Sequence, residues 1–516
     1  MPDNQGVPVD CGWAWVIVIG YFIGIFCMVG IAKSFGILLV QFVDYFDIPV
    51  AIAALIMGVS GGVYTLAAPV CVAAGQHFTQ RRVVMIGGLI GALGLSLSGF
   101  LFSIEWVIFT FGALYGFGNA CLFGNGLVII GQYFNKRRGL ANGLSLSGAS
   151  LGQFAIPPLL QFLLDTYSLK GTLIIIGGMY LNVIMCGALF RPTSFYSKRH
   201  TIVDSSKEQE KLLNKQEDWK ANQIVKPAEP KDEEAAEYHL KSSGEGLFET
   251  VRYRASSTGS VVIGSVDSLH SLALDTDNQS KNKMADNEEN NSKNKCIQFL
   301  SGLLDFSVLR SFVVILFILV SFLLFFGHFN FILFMPPTAG SRGVSKYDTA
   351  YLVSITGICD LFGRVLVGVA GDLQFIARYK LMGLATLLCG FSIFGFNLAQ
   401  EYWLMAVFVG CYGFLGGCYV SINAPVLIDL VGLKLMPKVL GLVVFIQGLG
   451  AAVGQPVLGA IRDHLGSYEV VNYICCCSMV AGAVLLCLYP LVKKVQERRE
   501  ATLTAYTKEV VLTVDS

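Results

Sequence analysis

Three ionisable side chains stand in stretches where charge is costly. Asp360 and Arg364 lie four residues apart in "SITGICDLFGRVLVGVAGDL" (354–373), and Lys33 lies in "MVGIAKSFGILL" (28–39). An i, i+4 spacing puts Asp360 and Arg364 on one helical face, acid before base, the favourable order for a local pair. At the centre of a membrane helix each such charge costs about 2.5–3.5 kcal/mol on an insertion scale, so it is a functional hypothesis by default. All three are expected to face a hydrated cavity rather than lipid. Arginine offers a planar fork that matches a carboxylate with two parallel hydrogen bonds. Aspartate offers a proton acceptor tuned by burial and neighbouring charge. Lys33 can hold or release a charge as the site opens to either side. The chemistry is therefore binding of an organic anion together with a proton. Proton uptake on Asp360 would free Arg364 for the anion, and the two would cross as an electroneutral pair. The competing reading is a neutralising pair that only fastens helices; it leaves Lys33, at similar depth in the other half of the chain, without a role.

Other polar residues are weaker candidates. His328 and Asn330 in "LLFFGHFNFILFM" (323–335) are possible pocket residues, although a hydrogen-bonded packing histidine is the simpler reading of His328. Asn119, Asn125 and Gln153 could touch a substrate; helix–helix hydrogen bonding is the better expectation, with Asn125 retained as a pocket candidate. "GASLG" (148–152) reads as a packing surface, and "RRVVM" (81–85) and "NKRRGL" (135–140) as interface anchors. The 14 cysteines fall mainly in apolar runs without metal-ligand spacing. With no nucleophile triad or nucleotide loop either, neither enzymatic chemistry nor a cofactor is expected. A net charge of +1 points to no nucleic-acid partner.

The elements that must position these residues follow from composition. Mean hydropathy is +0.61. Apolar residues are 54% of the chain and charged residues 14%, against about 25% charged in soluble domains. Glycine, at 56 of 516 residues, suits close helix packing in lipid. About 20 apolar residues cross a bilayer as a helix, and candidate spans lie near 13–39, 51–74, 83–102, 107–130, 139–164 and 171–190. A second set follows at 309–335, 348–371, 380–398, 403–427, 438–460 and 470–492. The first run lacks a basic leader and a cleavage site and is expected to be retained as a span.

Short loops on the side of the termini carry Arg81, Arg82, Lys136, Arg137, Arg138, Arg378, Lys380, Lys434 and Lys438. The opposite side carries Lys170, Arg342, Lys346 and Arg462. By the positive-inside rule both termini are expected in the cytoplasm. The expected organisation is a cytoplasmic N-terminus (1–12), a six-helix bundle (13–190), a polar cytoplasmic loop (191–306), a second bundle (307–492) and a cytoplasmic tail (493–516). The loop has the composition of a disordered segment; its sequons at Asn278 and Asn290 would be silent, and "RYRASSTGS" (252–260) is a weak phosphorylation candidate. "APVCVAAGQHFTQRRVVMIGG" (68–88) and "GRVLVGVAGDLQFIARYKLMG" (363–383) echo each other at matching junctions of the halves. Two pseudo-equivalent bundles with a site between them near the midplane follow from that repetition. The fold class is all-α membrane protein, with twelve transmembrane helices in two six-helix bundles, the major facilitator fold.

At particular motifs the chain resembles the monocarboxylate transporter family, solute carrier family 16. "DCGWAW" (10–15) is similar to the motif that opens the family's first span, with Cys11 and Ala14 in place of glycines. "YFNKRRGLANG" (133–143) is similar to its fifth-span motif, and "GALFRP" (187–192) and "DLVG" (429–432) also match. The resemblance covers all twelve spans and fails in the central loop and tail. It implies that Lys33, Asp360 and Arg364 are the proton and carboxylate groups of the proton-coupled members. It further implies symport of lactate, pyruvate or a similar acid at the plasma membrane, often with a single-span immunoglobulin-like glycoprotein as chaperone.

The chain departs from the family at Val365, at "LKG" (169–171) and at Gln455, where the family has Arg-Pro, Trp-Arg-Gly and proline. His328 and Asn330 add polarity to a seventh span that is otherwise apolar there. These departures point to a larger or more polar acid. Two alternatives stay open: a proton-independent carrier of another organic solute, such as an aromatic amino acid or a creatine-like compound, and a membrane sensor without transport.

Overall fold

The structure is a computed structural model, and the described residues are 9–100, 103–192, 306–370 and 377–514. Among them the chain is helical between short turns, with no strand. A backbone without water must satisfy its own polar groups, and long apolar segments do so as helices. Eleven helices among the described residues are long and apolar enough to cross a membrane. The longest, Gly139–Leu189, makes two passes, because Ser168 breaks it with φ 56° and ψ 179°. The first half thus comprises α1 (Trp13–Phe46), α2 (Val50–Phe78), α3 (Gln80–Phe100), α4 (Ile104–Tyr133), α5 (139–167) and α6 (169–189). The second half comprises α7 (Phe312–Ser341), α8 (Lys346–Ala370), α9 (Arg378–Leu398), α10 (Tyr402–Gly432), α11 (Lys438–Leu465) and α12 (Tyr468–Cys487). Gly432 separates α10 from α11 with φ 79°, a backbone region that glycine enters freely.

The segment expected as a tail begins inside another helix, α13 (Tyr489–Val514). Its Gln496 accepts hydrogen bonds from the Ser311 hydroxyl and the Val313 amide at the start of α7. The expected central loop, with Asn278, Asn290 and residues 252–260, lies almost wholly outside the described residues.

Small residues let the helices approach closely, against a neighbouring backbone or a large side chain. Gly148 and Gly152 of α5 sit against the Phe22 and Phe26 carbonyls of α1, and Gly112 and Gly116 of α4 against the Ile56 and Ser60 carbonyls of α2. Gly91 of α3 faces Tyr180 of α6. Six helices later the pairings recur. Gly450 and Gly454 of α11 meet Phe322 and Phe326 of α7. Gly413 and Gly417 of α10 meet the Thr356 and Asp360 backbone of α8, and Gly390 of α9 meets Cys476 and Val480 of α12. That recurrence is the two-bundle architecture expected from the sequence.

Among the described residues, three helix pairs carry the main contacts between the bundles. Gly36 of α1 abuts Leu333 and Pro336 of α7. Gly58, Gly62 and Thr65 of α2 abut Ala452 and Gly448 of α11. Gly357 of α8 abuts Ser150, Gln153 and Phe154 of α5. These contacts run from mid-helix to the end opposite the chain termini. There the Val50 and Ala51 amides donate to the Asp463 carboxylate at 3.1 and 2.9 Å.

Candidate functional site

The three charges singled out in the sequence meet at the junction of α1, α5 and α8. Asp360 is 2% exposed. Its Oδ2 accepts from Arg364 Nε at 2.7 Å and from the Ser150 hydroxyl, and its Oδ1 accepts from Arg364 Nη2 at 3.3 Å. The i, i+4 pair inferred from spacing is thus formed, and Ser150 ties it to the first bundle. Lys33 is half-buried and donates through Nζ to Gln153 Oε1 at 2.6 Å. Gln153 Nε2 donates to Thr356 Oγ1 at 2.6 Å, and that hydroxyl donates to the Val353 carbonyl at 2.6 Å. Thr356 stands one turn before Asp360 on α8, so the relay from Lys33 through Gln153 crosses the bundle interface and ends on α8 one turn from Asp360. Lys33 also acts electrostatically on Asp360. The balance is two cations against one carboxylate.

His328 lies within electrostatic reach of Lys33, Asp360 and Arg364. It packs on α10: its ring stacks on Tyr412, with centroids 5.1 Å apart, and meets Tyr419 edge-on at 5.9 Å. Asn330, two residues on and turned to another face of α7, donates to the Phe326 carbonyl. Asn125 is not brought to the charged cluster. Its amide donates to the Cys71 and Cys121 carbonyls, between α2 and α4. Ser150, Thr356 and Tyr412 were not singled out from the sequence. Ser150 lies inside the stretch read as packing, and the available signal was the i, i+3 spacing of Ser150 and Gln153, two polar groups on one face of an apolar helix. Gln455, a departure from the family, is fully buried, and neither of its amide atoms is hydrogen-bonded.

The motifs that carry the family resemblance converge at the terminal end of the first bundle. The Asp10 carboxylate accepts from the backbone amides of Lys136 and Arg137 at 3.0 Å each, and of Asn135 at 3.3 Å. The Lys136 amide above all, then those of Arg137 and Asn135, hold the Asp10 carboxyl below its ordinary range. Trp13 Nε1 donates to the Leu189 carbonyl at 3.1 Å, and the Arg191 guanidinium lies 3.4 Å over the Trp13 ring. "DCGWAW", "YFNKRRGLANG" and "GALFRP" are three sides of one corner. The "DLVG" aspartate, Asp429, pairs with Arg378 at 3.0 Å in the second bundle.

Two repeated six-helix bundles with a buried charged site between them define a multi-pass membrane transporter. The chain belongs to the Major Facilitator Superfamily, whose family model matches residues 21–244 and 317–512. Within it the chain is similar to proteins named as monocarboxylate transporters. Human monocarboxylate transporter 12 is 28% identical over 492 residues, covering 95% of this chain and 83% of that protein. Monocarboxylate transporter 9 of Gallus gallus is 29% identical, covering 94% of each. Human monocarboxylate transporter 14 is 26% identical, covering 95% of this chain and 93% of that protein. In shape the chain is similar to a POT family transporter crystallised with 5-aminolevulinic acid. The TM-score is 0.61 at 12% identity, covering 95% of this chain and 99% of that one, a likeness of fold alone.

Proposed function

We propose that this transporter is a proton-coupled symporter of short monocarboxylates, such as lactate or pyruvate, working by alternating access. One observation carries the reading: Arg364 pairs with the buried carboxylate of Asp360, and Lys33 acts on it electrostatically, at the interface of the bundles. Arg364 would bind the substrate carboxylate, Asp360 would carry the proton, and Lys33, held to α5 by Gln153, would couple occupancy to the gate. Carboxylate and proton together leave the charge of the site unchanged, which lets the loaded bundles rock past each other without moving net charge through lipid.

The positive-inside bias of the short loops supports cytoplasmic termini, so the closed end would be extracellular, in the plasma membrane. The names of the relatives support the monocarboxylate class. The test is uptake of labelled lactate and pyruvate at acidic and alkaline external pH, with cytosolic pH recorded in the same cells. Uptake that rises in acid, acidifies the cytosol and is lost in Arg364→Gln and Asp360→Asn at normal surface expression is expected. Normal flux in either variant would sink the assignment.

A second reading, a proton-independent carrier of an aromatic amino acid or creatine-like solute, draws on one observation. Arg364 and Ser150 already occupy the Asp360 carboxylate, as in a purely structural pair. It predicts uptake indifferent to the proton gradient.

A further inference from the structure

His328 is held in one tautomer. The Tyr412 hydroxyl oxygen lies 2.7 Å from the His328 carbonyl oxygen and 2.8 Å from His328 Nδ1. A phenol has one proton to give, and a carbonyl oxygen can only accept. The hydroxyl proton therefore goes to the carbonyl, and Nδ1 must carry hydrogen and donate to the tyrosine oxygen. The reverse tautomer would set two lone pairs against each other. A neutral ring also avoids a third positive charge beside Lys33 and Arg364. Nε2 is left as a bare acceptor, with no hydrogen-bond donor to it among the described residues.

The ring cannot readily turn. Tyr412 stacks on it, Tyr419 meets it edge-on, and Gly416 of α10 lies so close that a Cβ there would stand 2.6 Å from His328 Cε1. The residue keeps 7% of its surface exposed and lies within electrostatic reach of the charged cluster. The seventh span thus holds a ring with a fixed lone pair within electrostatic reach of Lys33, Asp360 and Arg364.

We propose that His328 Nε2 is a second recognition point for the substrate, selecting monocarboxylates that carry a hydrogen-bond donor, a hydroxyl or an amine N–H, over matching acids with a carbonyl or alkyl group in its place. The inference rests on the carboxylate reading above. Tyr412 is the positioning residue: it acts by fixing the tautomer. A substrate carbonyl would set lone pair against lone pair, and an alkyl group would leave Nε2 desolvated and unpaired, and sites built to hydrogen-bond a donor reject such analogues strongly.

The test uses the full-length chain in proteoliposomes with matched acids: lactate, pyruvate and propionate, and β-hydroxybutyrate, acetoacetate and butyrate. Wild type is expected to favour at least one hydroxy acid over its keto and alkyl partners by on the order of tenfold in kcat/KM. His328→Leu is expected to bring those ratios near unity. Tyr412→Phe frees the ring to present Nε2–H, so the keto acid should gain on the hydroxy acid, whereas a merely structural tyrosine would lower both alike. This variant also decides the matter if His328→Leu fails to fold. Equal kcat/KM across both sets, with flux that Arg364→Gln abolishes, overturns this inference alone, as does an unchanged hydroxy-to-keto ratio in Tyr412→Phe. No Arg364-dependent uptake of any acid overturns the carboxylate reading and this inference with it.

Discussion

Gly357 sets the closest approach of the two bundles along α5 and α8, and a single methyl group there tests whether that approach belongs to one transport state. A Cβ at this position would stand 2.6 Å from Phe154 N, 2.8 Å from the Gln153 carbonyl carbon and 3.0 Å from Ser150 O. Ordinary contact begins at 3.4 Å, so Gly357→Ala requires the helices to part by roughly 0.8 Å. All three neighbours are backbone, and no side-chain rotation relieves the clash. Overpacking of this kind costs about 1–3 kcal/mol. Under alternating access the cost falls on the state closed at the end opposite the termini and spares the state in which α5 and α8 separate. The equilibrium between them should move by about 5- to 150-fold toward opening at that end. The assay is labelling of a Leu333→Cys reporter, buried at the α1–α7 contact, by a membrane-impermeant maleimide, with labelling of the parent protein subtracted. Gly178→Ala is the control, because nothing stands within 4 Å of a Cβ there. Labelling should rise in Gly357→Ala and stay flat in Gly178→Ala. Equal labelling in the two folded variants would refute the reasoning.

Three further outcomes are expected. Asp463→Ala removes the carboxylate that holds the Val50 and Ala51 amides of α2 across the bundle interface. A lost helix cap costs about 0.5–2 kcal/mol, so the same reporter should label faster. The Arg342 side chain is 8% exposed and donates to the Phe396, Asn397 and Ala399 carbonyls at the end of α9. Arg342→Met strands them, at a cost on the order of 3 kcal/mol, and should lower Tm in detergent with little change in substrate affinity. Asp10 is held below its ordinary pKa of 3.8 by backbone donors, the Lys136 amide first. The folded state therefore binds this proton less readily than the unfolded one. Its contribution to stability is present above that pH and is lost as the pH falls through the folded value. Tm of Asp10→Asn should lie below wild type at neutral pH and converge with it in acid; a constant gap would contradict the assignment.

What could be read from the chain follows from how local each energetic cost is. A span is a local property: twenty apolar residues need no partner to declare a helix, which is why the six-and-six pattern agrees with the helices observed. The break at Ser168 falls between the fifth and sixth expected spans, and only the continuity of Gly139–Leu189 could disguise it. Lys33, Asp360 and Arg364 were legible for the same reason, since a charge in an oily stretch is anomalous wherever the stretch ends up. Their partners were not. Ser150 and Asp360 are 210 residues apart and Gln153 and Thr356 are 203 apart. A serine or glutamine in a glycine-rich helix is unremarkable until docking of the bundles decides which face it presents. Asn125 shows the converse: its composition suits a pocket, but its amide nitrogen donates to two carbonyls of its own bundle, away from the charged cluster. His328 falls between these cases. Its presence in the seventh span was legible as a departure; its tautomer was not, because Tyr412, 84 residues away, determines which nitrogen is bare. The charged residues of the candidate site were therefore visible in the chain, whereas the partners that hold them are set by contacts between helices.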